Sequence, residues 1–218
     1  MWRLKRKPEL LAILALLGGI ALAQGDEPAA EPAAQAGIAE TGEQVASRCA
    51  ECHGEGGRSQ TRDMPSIAGF PMLATMDLLD TYRRGLRKAR AVELPDGTET
   101  DMVEVADSLS DADEWAVVIY YANQPWQPHE QPFDAALARR GAEIHAEKCD
   151  RCHYDGGRDP ESDLPISAGQ WRDYLEAEFD NFDAGRRAMS DKMREKYDTL
   201  SAADKRAIIE LYVSAGDY

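Results

Sequence analysis

Cys49-Ala50-Glu51-Cys52-His53 and Cys149-Asp150-Arg151-Cys152-His153 stand 100 positions apart and together use all four cysteines of this 218-residue chain. Two thiols separated by two residues share one helical turn, so both can form thioethers to the vinyl groups of a single porphyrin. The histidine that follows at once then points an imidazole nitrogen at the iron. Each stretch therefore reads as a c-type haem attachment site, with Cys49, Cys52 and His53 serving one group and Cys149, Cys152 and His153 the other. Paired Cys-x-x-Cys zinc sites lie much closer together along a chain, and a thioredoxin-like dithiol needs a strand-helix-strand setting that this sequence lacks. Two structural disulfides in an oxidising compartment are the bland alternative.

The duplication extends well beyond the cysteines, and a repeat decides the architecture. Pro65-Ser66-Ile67-Ala68-Gly69 matches Pro165-Ile166-Ser167-Ala168-Gly169 at the same offset of 100, as do Tyr82 and Gly85 with Phe182 and Gly185. Leu109-Ser110 then corresponds to Leu200-Ser201 at an offset of 91, so the first copy holds about nine extra residues. The turn-rich run Glu93-Leu94-Pro95-Asp96-Gly97-Thr98 is the place for them. Each copy is expected to be helical. One helix runs from Gly42 or Gly141 into the cysteine motif, and a second spans roughly Met72 to Arg84 or Trp171 to Asp183. A last helix is capped by Ser110 or Ser201, with an acid three positions on. Val117, Tyr120 and Tyr121, and likewise Ile208, Leu211 and Tyr212, fall on one face of that helix. No strand pattern competes. The expected fold is all-α, with domain 1 over residues 41–124, a proline-stiffened linker over 125–136 and domain 2 over 137–218.

A six-coordinate haem iron needs a second axial ligand, for which methionine is a common choice. Met102 and Met193 each lie seven residues before the matched Leu109 and Leu200, in stretches expected to be irregular, and the repeat selects them over the other methionines. Met189 is the main rival for the second site. His145, four residues before Cys149, is expected to pack on the last helix of its own domain, with iron ligation as the alternative; His129, in the linker, is expected to be exposed. Trp126 and Trp171 read as core packing, with the edge of a haem or of a partner interface as the alternative.

The ends and the charge bound the setting. Arg3, Lys5, Arg6 and Lys7 precede an apolar run closing on Ala21-Leu22-Ala23, which reads as a secretory signal peptide over residues 1–23. An uncleaved membrane anchor is the alternative, and export to the periplasm follows either way. Residues 24–40, rich in Ala, Pro and Glu, read as a disordered leader. The net charge is −15, and removing the first 23 residues, which carry four cations and Glu9, takes it to −18. Such acidity excludes nucleic acid as a partner. It suits a basic rim on a redox partner, or equally a saline or alkaline habitat.

The order Cys-x-x-Cys-His, Pro-x-x-Ala-Gly, then a methionine before a Leu-Ser-led helix resembles the class I cytochromes c, in particular the tandem two-haem proteins of the cytochrome c4 type. The resemblance covers both copies from about Gly42 to the C-terminus. It implies that the carbonyls of Pro65 and Pro165 accept hydrogen bonds from His53 and His153, orienting each imidazole. In the second half, Gln127-Pro128, Phe133-Asp134, Ala136-Leu137-Ala138, Gly141-Ala142, His145, Ala168-Gly169-Gln170-Trp171, Tyr174-Leu175 and Arg186-Arg187 with Met189 and Met193 are similar to the cytochrome subunit of flavocytochrome c sulfide dehydrogenase. That resemblance implies an FAD-bearing flavoprotein subunit as electron donor, and a soluble cytochrome c or terminal oxidase as acceptor. No flavin and no catalytic site are expected in this chain itself. A free-standing dihaem shuttle to a terminal oxidase is the alternative. A haem peroxidase is a third reading, which the matched methionines oppose because it needs an open iron site.

Overall fold

The structure, a computed structural model, describes residues 31–218, with side chains described from Gly42 onward. The signal peptide expected over residues 1–23, and residues 24–30 of the expected leader, lie outside the described residues. Among the described residues no helix is long and apolar enough to cross a membrane.

The first copy is built from four helices: α1 (Glu31–His53), α2 (Met72–Arg83), α3 (Met102–Ser108) and α4 (Asp111–Ala122). The second repeats them as α5 (Ala135–Lys148), α7 (Arg172–Asp183), α8 (Asp191–Tyr197) and α9 (Ala202–Val213), with a single turn, α6 (Tyr154–Gly157), after the second motif. In each copy the first helix crosses the last, and a glycine allows it. A Cβ on Gly42 would stand 2.6 Å from the Ala116 carbonyl oxygen, and one on Gly141 would stand 2.0 Å from that of Ala207. Side-chain atoms essentially never approach so closely, so at both positions the helix backbones touch because no side chain intervenes.

Burial follows the expected faces. Val117 and Tyr121 on α4 join Val45, Leu79 and Val118 in one core, with Tyr120 half-buried at its edge. Ile208, Leu211 and Tyr212 on α9 join Ile144 and Leu175 in the other. Ser110 accepts from the Asp113 amide at 3.2 Å. Ser201 forms a full capping box, accepting from Asp204 N–H at 3.1 Å while the Asp204 carboxylate accepts from the Ser201 amide at 3.1 Å.

Four expectations are corrected. The leader expected to be disordered over 24–40 is helical from Glu31; its Ala-rich run has the highest helix propensity and extends the helix carrying the first motif. The extra residues of the first copy, expected only as a turn, form a two-stranded hairpin, β1 (Val92–Glu93) with β2 (Glu99–Thr100), closed by Leu94 N–H donating to Thr98 O at 2.7 Å. Helix α5 starts at Ala135, inside the expected linker, because Asp134 caps it by accepting from the amides of Ala136 and Leu137. His129 is buried rather than exposed, at 4%. The proline-held linker lays its ring flat on Trp171, with centroids 3.9 Å apart, and brings Nε2 to 2.8 Å from Ser66 Oγ.

The copies meet through equivalent segments. Lys88 N–H donates to Arg186 O at 2.8 Å and Ala188 N–H to Leu86 O at 2.7 Å, pairing Arg87 with Arg187, its partner at offset 100. Glu178, where the first copy has Leu78, is buried between the two guanidiniums, 3.0 Å from Arg87 and bonded to Arg187. Burial pushes the Glu178 carboxyl up, but the two arginines outweigh it and hold the group below its ordinary value. Trp171 Nε1 donates to Ser59 O at 3.0 Å, and Tyr174 N–H to Arg62 O at 3.1 Å, across the same seam.

Candidate functional site

The first motif closes α1, so Cys49, Cys52 and His53 lie on one continuous helical segment. His53 is 8% exposed, and its Nδ1 lies 2.9 Å from the Pro65 carbonyl oxygen. A carbonyl only accepts, so Nδ1 carries the proton and Nε2 keeps its lone pair. Burial, partly opposed by the Pro65 bond, lowers the His53 pKa and favours that neutral form. Beside Cys52 opens a cleft of ≈620 Å³ lined by Met64, Arg90, Val92, Leu94 and Pro95. The hairpin that lengthens the first copy is thus one wall of the space next to the thiol.

The second motif is held differently. Helix α5 stops at Lys148, and Cys149 to His153 continue as a hydrogen-bonded turn in which His145 O accepts from both Cys149 and Asp150 N–H, at 2.8 and 2.9 Å. The His153 ring turns toward His145, with centroids 6.5 Å apart, and His145 packs edge-on against Tyr212 of α9 at 5.7 Å. His153 Nδ1 is buried with no hydrogen-bond partner. The contact to Pro165 that the resemblance implies is therefore not made here, because leaving the helix early re-aims the ring. Burial lowers the His153 pKa to about 4, with His145 and Arg187 adding to the effect.

The donor chemistry fits covalent haem. All four thiols are free, so the disulfide alternative is not what the fold makes of them. Burial raises the Cys49 pKa and pushes that of Cys149 up to about 11, which removes the thiolate character that dithiol redox chemistry needs. Among the described residues no group of three or more His, Cys, Asp or Glu side chains converges to hold a metal ion, so neither motif offers a tetrahedral zinc set. Each instead presents two thiols and one neutral imidazole, the set that a porphyrin and its iron require.

Both methionines expected as second ligands lie in short helices rather than irregular chain. Met102 is the first residue of α3, half-buried against the cluster that includes Cys49 and Tyr82. Met193 is the third residue of α8 and also half-buried. The helices start in different registers relative to the matched methionines, because Asp101 caps one by accepting from Val103 and Glu104 N–H and Ser190 caps the other by accepting from Met193 N–H. Met189 precedes that second cap and is half-buried as well. Sequence reasoning passed over Arg87 and Glu178, and named Arg187 and Gln170 only as parts of a resemblance, without a role. The arginines share the offset of the flanking glycines, so extending the repeat two residues would have found them. Nothing local marks Glu178 or Gln170, whose roles exist only across the domain seam.

The comparisons agree with this geometry. The cytochrome c family model matches residues 39–124, and that of cytochrome c oxidase, cbb3-type, subunit III matches residues 136–211. No curated protein sequence matches the chain. Among solved structures, reduced recombinant cytochrome c4 from Pseudomonas stutzeri superposes with a TM-score of 0.65 at 24% identity, covering 80% of this chain and 97% of that one. Thiosulfate dehydrogenase (TsdBA) from Marichromatium purpuratum gives 0.65 at 26% identity, covering 80% of this chain but only 40% of that one. Cytochrome c4 from Acidithiobacillus ferrooxidans gives 0.59 at 22% identity, covering 77% and 99%. The fold is two tandem class I cytochrome c domains, and each motif carries a covalently attached haem c with its iron.

Proposed function

We propose that this electron-transfer dihaem cytochrome is the periplasmic cytochrome subunit of a sulfide-oxidising flavocytochrome c, taking electrons from an FAD-bearing subunit. The observation that carries the electron-transfer reading is the pair of neutral imidazoles, His53 buried and His153 half-buried, each beside two free thiols, on domains locked together by Arg87, Glu178 and Arg187. In this reading His53 and His153 ligate the irons and Met102 and Met193 complete them. Thioether coordination raises the iron potential and leaves no vacancy for substrate. The protein's own part is to hold the imidazoles neutral and oriented, exclude water, and keep the two sites at a fixed distance. The sulfur-compound assignment is supported by the second-half motifs and by similarity to a thiosulfate dehydrogenase. That similarity also admits a different sulfur compound as the source of electrons.

A free-standing shuttle is the second reading, favoured by the match across 97% of a cytochrome c4 chain. Isolation of the native holoprotein separates them. Co-purification with a flavin-containing subunit, and haem reduction by sulfide only while that subunit is present, supports the first. A flavin-free preparation, reduced by sulfide no faster than by buffer in the presence of the cell's other exported proteins, overturns it.

A further inference from the structure

Gln170 is 1% exposed where the two domains meet, at the position that Phe70 occupies in the first copy. Its Nε2 donates to the Ser66 carbonyl at 2.7 Å and to the Ile166 carbonyl at 3.2 Å. These two carbonyls are equivalent in the repeat, so one side-chain amide ties the two proline loops together. Its Oε1 accepts from the Ser66 amide at 2.9 Å. That amide belongs to the peptide unit whose carbonyl, on Pro65, accepts from His53 Nδ1 at 2.9 Å. Gln170 and His53 thus grip opposite ends of one peptide group. The amide of Gln170 has only one satisfying orientation, since two carbonyls face its nitrogen and an N–H faces its oxygen.

We propose that Gln170 is a positioning residue through which the second domain tunes the iron of the first. An N–H that donates makes its own carbonyl a better acceptor, and chained hydrogen bonds strengthen one another by roughly 10–30% per bond. A stronger pull from Pro65 O on the Nδ1 proton makes the imidazole a more basic ligand, which favours ferric over ferrous iron. Gln170 therefore lowers the potential of the first haem. The effect is one-sided, because Phe70 offers no acceptor to the Pro165–Ile166 peptide and His153 Nδ1 has no partner. The inference rests on His53 being an iron ligand.

The test uses the full-length holoprotein. Gln170→Met keeps length and removes the acceptor. Ser66→Ala is the control: it deletes the hydroxyl contacts to His129 and the Ser59 amide, loosening the same seam, but leaves the Ser66 N–H bonded to Gln170. The readouts are a potentiometric titration that resolves the two haems and the NMR shift of the His53 ring Nδ1 proton in the ferrous state. Gln170→Met is expected to move the electron equilibrium between the two irons about twofold or more toward a reduced first haem. At 59 mV per tenfold that is about 18 mV. The ring proton is expected to move upfield, as for a weaker hydrogen bond, while Ser66→Ala moves neither. If Gln170→Met does not accumulate as holoprotein, Gln170→Asn, one methylene shorter and so withdrawn from the Ser66 amide, moves the ring proton upfield in the same way. An unchanged equilibrium with an unmoved ring proton, or an equal shift in Ser66→Ala, overturns the inference. A wild-type spectrum with no haem-ligating His53 ring proton overturns the ligand assignment itself, and this inference with it.

Discussion

Replacing Glu178 by glutamine removes a buried anion from between two arginines and keeps nearly the same shape. The side chains of Glu178 and Arg87 are 10% and 6% exposed, and that of Arg187 is 19% exposed. Water therefore screens little of the repulsion left behind. Breaking a buried ion pair from one side typically costs about 3–5 kcal/mol. The substituted side-chain amide would retain one hydrogen bond, which places the expected loss near the lower end, about 3 kcal/mol, with two cations facing each other across the seam. For a chain of this size each kcal/mol lowers the melting temperature by roughly 2–4 °C, so a drop of about 6–12 °C is expected in holoprotein melting followed by circular dichroism. The pH dependence supplies a second arm. Because the arginines hold the folded Glu178 pKa below its ordinary value, its contribution is complete above the unfolded value near pH ~4.3 and is lost as pH falls through the lower folded value. The variant should therefore lose less stability than wild type on acidification below that point. A loss under about 1 kcal/mol together with an unaltered acid limb would refute the view that this triad locks the domains.

Burial, with Arg58 adding to it, lowers the pKa of His129 to about 4, so the folded protein binds that proton later than the unfolded chain. Its contribution is complete above pH ~6.5 and declines as pH falls from there toward about 4. Urea titrations of wild type and His129→Phe between pH 7.5 and 4.5 should show a flatter decline in the variant, and parallel curves would contradict the buried stack on Trp171. Met102→Ala and Met193→Ala are each expected to open one iron to carbon monoxide, read as a shifted Soret band. If both variants keep the wild-type spectrum under carbon monoxide, neither methionine is a ligand.

Much of the architecture was legible because the chain states it twice. The caps at Ser110 and Ser201 and the faces of α4 and α9 follow from local chemistry and helical period, and both are read without knowing the partner helix. The duplicated proline, glycine and cysteine positions gave the two-domain order in the same way. What escaped was set by contacts between distant segments. His129 looked like an exposed linker residue because its partners, Ser66 and Trp171, are 63 and 42 positions away. Glu178 carries no local mark, because Arg87, which closes over it, comes from the other domain. The divergence between the motifs was hidden too, since Cys-x-x-Cys-His reads identically whether its helix continues, as at His53, or ends, as at Lys148.

The central claim, two covalently held haems each closed by two protein ligands, is tested most directly by counting and inspecting them. Pyridine haemochrome analysis of the purified mature protein should give two haems per chain that survive acid-acetone extraction. The resting absorption and EPR spectra should be low-spin at both irons. One haem per chain, extractable haem, or a high-spin ferric signal at rest would contradict it.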